Sequence, residues 1–107
     1  MSAAPVFDAL IHAPGRLQIC AILSSVDAEF AMLRDAIKVS DSVMSKHLKQ
    51  LEAAGYVTLT KAAENGRQRT WVSLTLAGRK AFAAHVAELQ RLATMTAPAP
   101  LGQGFSG

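Results

Sequence analysis

The chain has 107 residues, enough for one compact domain with a modest core and too few for a catalytic domain plus a separate sensor domain. It is 50% hydrophobic and 18% charged with a formal net charge of +3, which excludes a disordered acidic chain and a low-complexity one. A single cysteine, Cys20, excludes an internal disulfide framework and a Cys-rich zinc site. No apolar run is long enough to span a bilayer, and the N-terminal stretch lacks the basic and apolar regions of a signal peptide. A cytoplasmic protein is expected.

Charge is unevenly placed. Residues 1–37 are net acidic, whereas residues 38–80 hold eight lysines and arginines against Asp41, Glu52 and Glu64. A basic stretch of this kind suits a nucleic-acid-facing surface and equally suits a solvated face that happens to be lysine-rich.

In chain order, Val6, Phe7, Leu10 and Ile11 recur at helical spacing after Pro5, and Ala13-Pro14-Gly15 is expected to break that helix. Arg16 opens a second apolar run through Leu17, Ile19, Cys20, Ile22 and Leu23, ending near Ser24-Ser25. An extended piece at Ala28–Phe30 leads into a short helix carrying Met32, Leu33, Ala36 and Ile37. The polar turn Val39-Ser40-Asp41-Ser42 has N-cap chemistry, with Asp41 expected to cap, and the helix after it runs to about Ala54 before Gly55 stops it.

Beyond Gly55 the period changes. Residues 56–61 and 70–75 alternate as half-buried strands, and Asn65-Gly66 between them is a strong hairpin turn signal. A last amphipathic helix from about Ala77 carries Phe82, Val86, Leu89 and Leu92 or Ala93 on one stripe. The Pro/Gly-rich segment 96–107 is expected to be a disordered tail, leaving 1–95 as the domain. The expected fold class is mainly α with a small β-hairpin (α+β), in the order α-α-β-α-α-β-β-α.

The functional argument rests on residues 31–57. At 100° per residue, Met44, His47, Leu48 and Leu51 gather on one side of the helix at 41–54, while Ser42, Lys46 and Lys49 share an arc of roughly 60° on the other. A recognition helix needs that division: an apolar stripe to dock, and donors turned outward to base edges and phosphates. The hairpin adds Arg67 and Arg69 about its turn and Lys61 lower on the first strand, positions from which to grip a backbone or enter a minor groove.

The segment SDSVMSKHLKQLEAAGYV, the hairpin with GRQRTW and the following SLTLAGRKAF together resemble the MarR/ArsR-like winged-helix regulators, and most of all the small winged-helix DNA-binding domain proteins. The resemblance covers roughly residues 5–93. It implies a winged helix-turn-helix, with 41–54 as recognition helix, Ser42, Val43, Lys46 and Lys49 as base or phosphate contacts, and 62–69 as the wing. It further implies a homodimer joined through residues 5–12 and 77–95 on a pseudo-palindromic double-stranded operator, usually as a repressor. The chain lacks the helical length that builds the small-molecule pocket of larger members, which leaves a cleft between dimer halves as the place for an effector.

Other readings are less favoured. His47 reads as a packed, hydrogen-bonded side chain and Trp71 as a strand residue more than a stacking platform. Cys20 has no basic neighbour to activate it. His85 and Glu88 have the spacing of half a metal site without the rest of one, so no metal or other cofactor is expected. No nucleophile elbow, phosphate loop or paired catalytic histidine is present, so an enzyme is not expected. Arg16 suits either the DNA backbone or an acidic partner inside the domain. A winged-helix module that binds protein without sequence-specific DNA binding is the alternative, disfavoured because its face should be richer in aromatics or leucine.

Overall fold

A computed structural model describes residues 3–96. Its elements are α1 (Ala9–His12), α2 (Pro14–Leu23), β1 (Ala28–Glu29), α3 (Phe30–Ile37), α4 (Asp41–Ala53), β2 (Val57–Glu64), β3 (Arg67–Leu74) and α5 (Leu76–Thr96). The order is the one expected, a mostly helical chain with a small antiparallel sheet of order β1-β3-β2. The expected tail lies outside the described residues apart from Thr96, the last residue of α5.

The first helix is shorter than its apolar spacing predicts. Asp8 caps α1 by accepting from the Ile11 amide, so the chain before it is not helical, and Val6 donates its amide to the Ala84 carbonyl of α5. Val6 and Phe7 consequently remain exposed and do not join the core. The expected break falls at Ala13, where α1 ends, but α2 starts two residues before Arg16: Pro14 occupies its first turn, where its missing N–H costs nothing.

Helix α4 also starts differently from expectation. Ser40, not Asp41, is its N-cap, and its hydroxyl accepts from the Val43 amide at 3.2 Å. Asp41 is the first helical residue, where its charge suits the helix dipole, and it takes a 2.8 Å bond from Arg34. Between α3 and α4 the chain turns through Lys38 at φ 60°, a left-handed position unusual for a residue with a Cβ.

Gly55, at φ +80°, follows α4 in the left-handed conformation that ends helices. The ribbon β2–β3 then pairs Val57 with Leu74 and ends with Glu64 opposite Arg67. Asn65 and Gly66 turn it at φ 53° and 75°, both positive as a two-residue hairpin of this twist requires. At the other end, Thr75 joins three elements. Its hydroxyl donates to the Gly55 carbonyl and accepts from the Gly78 amide, while its own amide donates to Tyr56. A Cβ at Gly78 would lie 2.1 Å from the Tyr56 carbonyl oxygen, so the Leu74-Thr75-x-x-Gly78 pattern records a close approach of α5 to the start of the sheet.

The core draws on every layer: Ile11, Ile19, Cys20 and Leu23 from the first helices, Leu33, Met44, Leu48 and Leu51 from the next pair, and Val57, Val72 and Leu74 from the ribbon. Met44, Leu48 and Leu51 are fully or almost fully buried. Each contributes roughly 2 kcal/mol of apolar burial that holds α4 against the body. No helix among the described residues is long and apolar enough to cross a membrane.

Candidate nucleic-acid interface

On the side of α4 away from its buried stripe, Ser42, Val43, Lys46 and Lys49 are all exposed. The helix is thus divided as its sequence predicts, with Met44, Leu48 and Leu51 inward. Ser42, Lys46 and Gln50 follow one another at four-residue steps and form one ridge. Asp41, at the start of the helix, is engaged by Arg34 at 2.8 Å. The bond to Asp35, followed by that to Asp41, raises the Arg34 guanidinium pKa further, and the two withdraw this arginine from the face.

His47 lies on the flank of α4, half-buried, as the packed reading predicts. Its ring sits against Gly15, where a Cβ would come within 2.5 Å of Nε2, and its Nδ1 is 3.3 Å from Nη1 of Arg16. Burial lowers its pKa, and the neighbouring charges of Arg16 and Lys46 lower it further. Arg16 also donates to the Leu10 carbonyl and to Oε1 of Gln50. It therefore has no acidic partner among the described residues.

The ribbon separates the three cations expected there. Pairing places Lys61 opposite Thr70 and Arg69 opposite Ala62, so the pleat sends Lys61 to one face and Arg67 with Arg69 to the other. Lys61 and Arg67 are exposed. Arg69 is not clear of the body as the hairpin pattern suggests. Glu29, opposite Trp71, is its diagonal neighbour on the same face, and Arg69 donates to it at 2.8 Å and approaches Glu64 at 3.5 Å. Its Nε is buried without a hydrogen-bond partner. Trp71 is half-buried between Glu29 and Thr60 on that face.

A cluster that sequence reasoning missed joins the two ends of the chain. The fully buried His85 accepts at Nδ1 from the Asp8 amide at 3.0 Å, and its Nε2 is 3.1 Å from Nδ1 of His12. Because Nδ1 accepts, the proton of the neutral ring sits on Nε2 and is donated to His12. Burial, then the neighbouring His12, lowers the pKa of His85 against the opposing pull of Asp8 and Glu88. Tyr56 donates to Oδ2 of Asp8 at 2.6 Å, a bond that with burial pushes the phenol up to about 12. The half metal site is not assembled: the Glu88 carboxylate accepts two hydrogen bonds from Arg91, which lower its pKa, while His85 is buried and bonded to Asp8 and His12. Cys20 is buried, and burial followed by the Asp8 charge pushes its thiol up to about 11, the inert condition. His12 and His85 are 73 residues apart, and no local pattern signals such a pair.

Two packed helices with an outward polar ridge, a three-stranded sheet and a basic ribbon define a winged helix-turn-helix. The chain belongs to the winged helix DNA-binding domain family, whose model matches residues 16–93. It is 33% identical over 78 residues to the uncharacterized protein MJ0432 of Methanocaldococcus jannaschii, covering 72% of this chain and 85% of that one. Its structure is similar to a transcriptional regulator homologue from Pyrococcus horikoshii OT3 (TM-score 0.75, 23% identity, 80% of this chain and 86% of the other). It is also similar to smu.1704 from Streptococcus mutans UA159 (TM-score 0.66, 29% identity, 86% of each chain). The zinc-responsive MarR family member ZitR of Lactococcus lactis shares the fold at TM-score 0.60 and 24% identity, over 78% of this chain and 58% of that one. The fold is that of the MarR-type regulators.

Proposed function

We propose that the chain is a sequence-specific, double-stranded-DNA-binding transcriptional regulator that acts as a homodimeric repressor on a pseudo-palindromic operator. The observation that carries this reading is the division of α4, with Met44, Leu48 and Leu51 sealed inward and Ser42, Val43, Lys46 and Lys49 exposed together. In this reading Ser42 and Val43 meet base edges, Val43 offering an apolar surface to a thymine methyl, while Lys46 and Lys49 reach guanine acceptors or phosphates. Lys61, Arg67 and Arg69 form the wing contact, with Arg67 the principal one because Arg69 is held by Glu29.

A dimer is supported by apolar surface at the terminal elements: Val6, Phe7, Leu92 and Met95 are all exposed. Pairing α1 and α5 of two protomers would cover it and set two recognition helices about 34 Å apart, one turn of duplex. An effector would then bind in the cleft between protomers.

The test is selection from fragmented genomic DNA with the purified chain at about 150 mM salt. An enriched inverted repeat is the expected result. Affinity for it should fall with salt at a log–log slope of about −7 to −9, as neutralisation of roughly 8–10 phosphates by a dimer requires. Retention without sequence preference overturns the operator reading, and no retention overturns DNA binding.

A further inference from the structure

We propose that Arg16 is a DNA-backbone contact, a guanidinium aimed along the flank of α4 by neutral partners and left with its full charge to offer a phosphate. The inference rests on the duplex-binding reading above and adds a residue from outside the helix and wing that define it.

Of the chain's six arginines, Arg67 and Arg79 are exposed, Arg79 donating to the Ser24 carbonyl, and three others are paired with carboxylates. Arg34 is bonded to Asp35 and Asp41, Arg69 to Glu29, and Arg91 to Glu88, all at 2.7–3.0 Å. Each of these charges is already answered by a carboxylate. Arg16 is held just as firmly, through Nε to the Leu10 carbonyl and through Nη1 to Oε1 of Gln50 and Nδ1 of His47, but every one of its acceptors is neutral. Such contacts fix the geometry of a guanidinium without cancelling its charge, so the entropy of placing the side chain is lost on folding and not on binding. Nη2 has no partner among the described residues, which leaves two N–H groups to donate.

Its position is the second half of the argument. Gln50 follows Lys46 by four residues and Ser42 by eight, so Arg16 extends the ridge that carries them. Nη1 of Arg16 lies 3.3 Å from Nδ1 of His47, the residue after Lys46, so the guanidinium sits against the helix that carries both lysines. Gly15 makes the arrangement accessible, since any Cβ there would collide with the His47 ring.

The test uses the full chain and a mixed-sequence duplex across a salt series, with Arg16→Gln, Arg16→Lys and, as a wing reference, Arg67→Ala. Arg16→Gln should bind about five- to tenfold more weakly at about 100 mM salt, with a log–log slope shallower by about 0.9 per protomer, while Arg16→Lys keeps the slope. A residue that only braces α4 would lower the melting temperature and leave the slope alone, and lysine would not rescue it. A folded Arg16→Gln protein with the parent slope overturns the inference, as does an Arg16→Lys slope as shallow as that of Arg16→Gln. If Arg16→Gln does not fold, protection of Arg16 in the parent protein from an arginine-specific dicarbonyl by the duplex replaces it; modification at an unchanged rate overturns the proposal. A shallower slope for Arg67→Ala with none for Arg16→Gln defeats this inference alone. A parent protein that binds no duplex at any salt defeats the DNA-binding reading with it.

Discussion

The corner where α1 meets α5 and the face formed by α4 and the ribbon use polar side chains in opposite ways. At the corner, Asp8, His12, Tyr56 and His85 satisfy one another, and the buried imidazole is confined to one tautomer. On the face, Ser42, Lys46, Lys49, Lys61 and Arg67 stand in solvent. Burial demands partners, because an unmatched polar group inside the protein costs about 1–3 kcal/mol, whereas a solvated cation costs nothing and remains available to bind. Arg69 marks the boundary: it lies on the ribbon but is paired like a residue of the interior.

The largest effect expected bears on the frame that holds both regions. Gly78→Val places a side chain where the Tyr56 carbonyl stands 2.1 Å from an ideal Cβ. It should destabilise the protein by about 3 kcal/mol or more in urea unfolding. A near-neutral result would show that α5 can move off the sheet, and with it the whole corner.

Next is His85. Replacement by alanine leaves a cavity and an unpaired Asp8 amide, a loss of about 2–3 kcal/mol at pH 7.5. The parent protein should also lose stability as pH falls below 6.5, the ordinary imidazole value, because the unfolded ring takes a proton that folded His85 resists. Burial makes the same demand of His47, so the two add in the same direction. Urea midpoints at pH 7.5 and 5.0 measure this, and the difference should shrink when His85 is replaced. A flat profile for the parent would show that folded His85 takes up its proton as readily as the unfolded ring.

Tyr56→Phe removes the donor to Asp8 and should cost about 1 kcal/mol. Because the folded phenol is raised from 10.0 to about 12, its contribution is complete below pH 10 and disappears as pH rises through 12. Thermal melts of parent and variant at pH 8 and above should converge over that interval.

The smallest effects lie on the proposed DNA face and sharpen its boundary. Arg67→Ala should weaken all duplexes alike by several-fold, while Arg69→Ala weakens them less and lowers stability by about 0.5 kcal/mol, as a half-exposed ion pair would. Glu29→Gln should raise duplex affinity about twofold by releasing Arg69. Equal losses for Arg67 and Arg69, measured by anisotropy at fixed salt, would show that Glu29 yields its arginine when DNA arrives.

What the sequence determined by itself was whatever depends on neighbours along the chain. The period of Met44, Leu48 and Leu51 against Ser42, Lys46 and Lys49 placed α4 and its two faces, Asn65-Gly66 placed the hairpin, and Gly55 ended the helix before it. Where local signals compete, folding decides between them: Ser40 takes the cap from Asp41, and Pro14, just past the break at Ala13, starts α2 two residues before Arg16. Only the tertiary structure could decide which charges are free. Glu29 and Arg69 meet because β1 pairs with β3, Arg16 meets Gln50 because α2 packs beside α4, and His12 meets His85 because the first helix folds onto the last. Hydrophobic period is a property of successive residues. Charge compensation belongs to residues brought together by folding, and it separates an arginine that can hold a phosphate from one that is already bound.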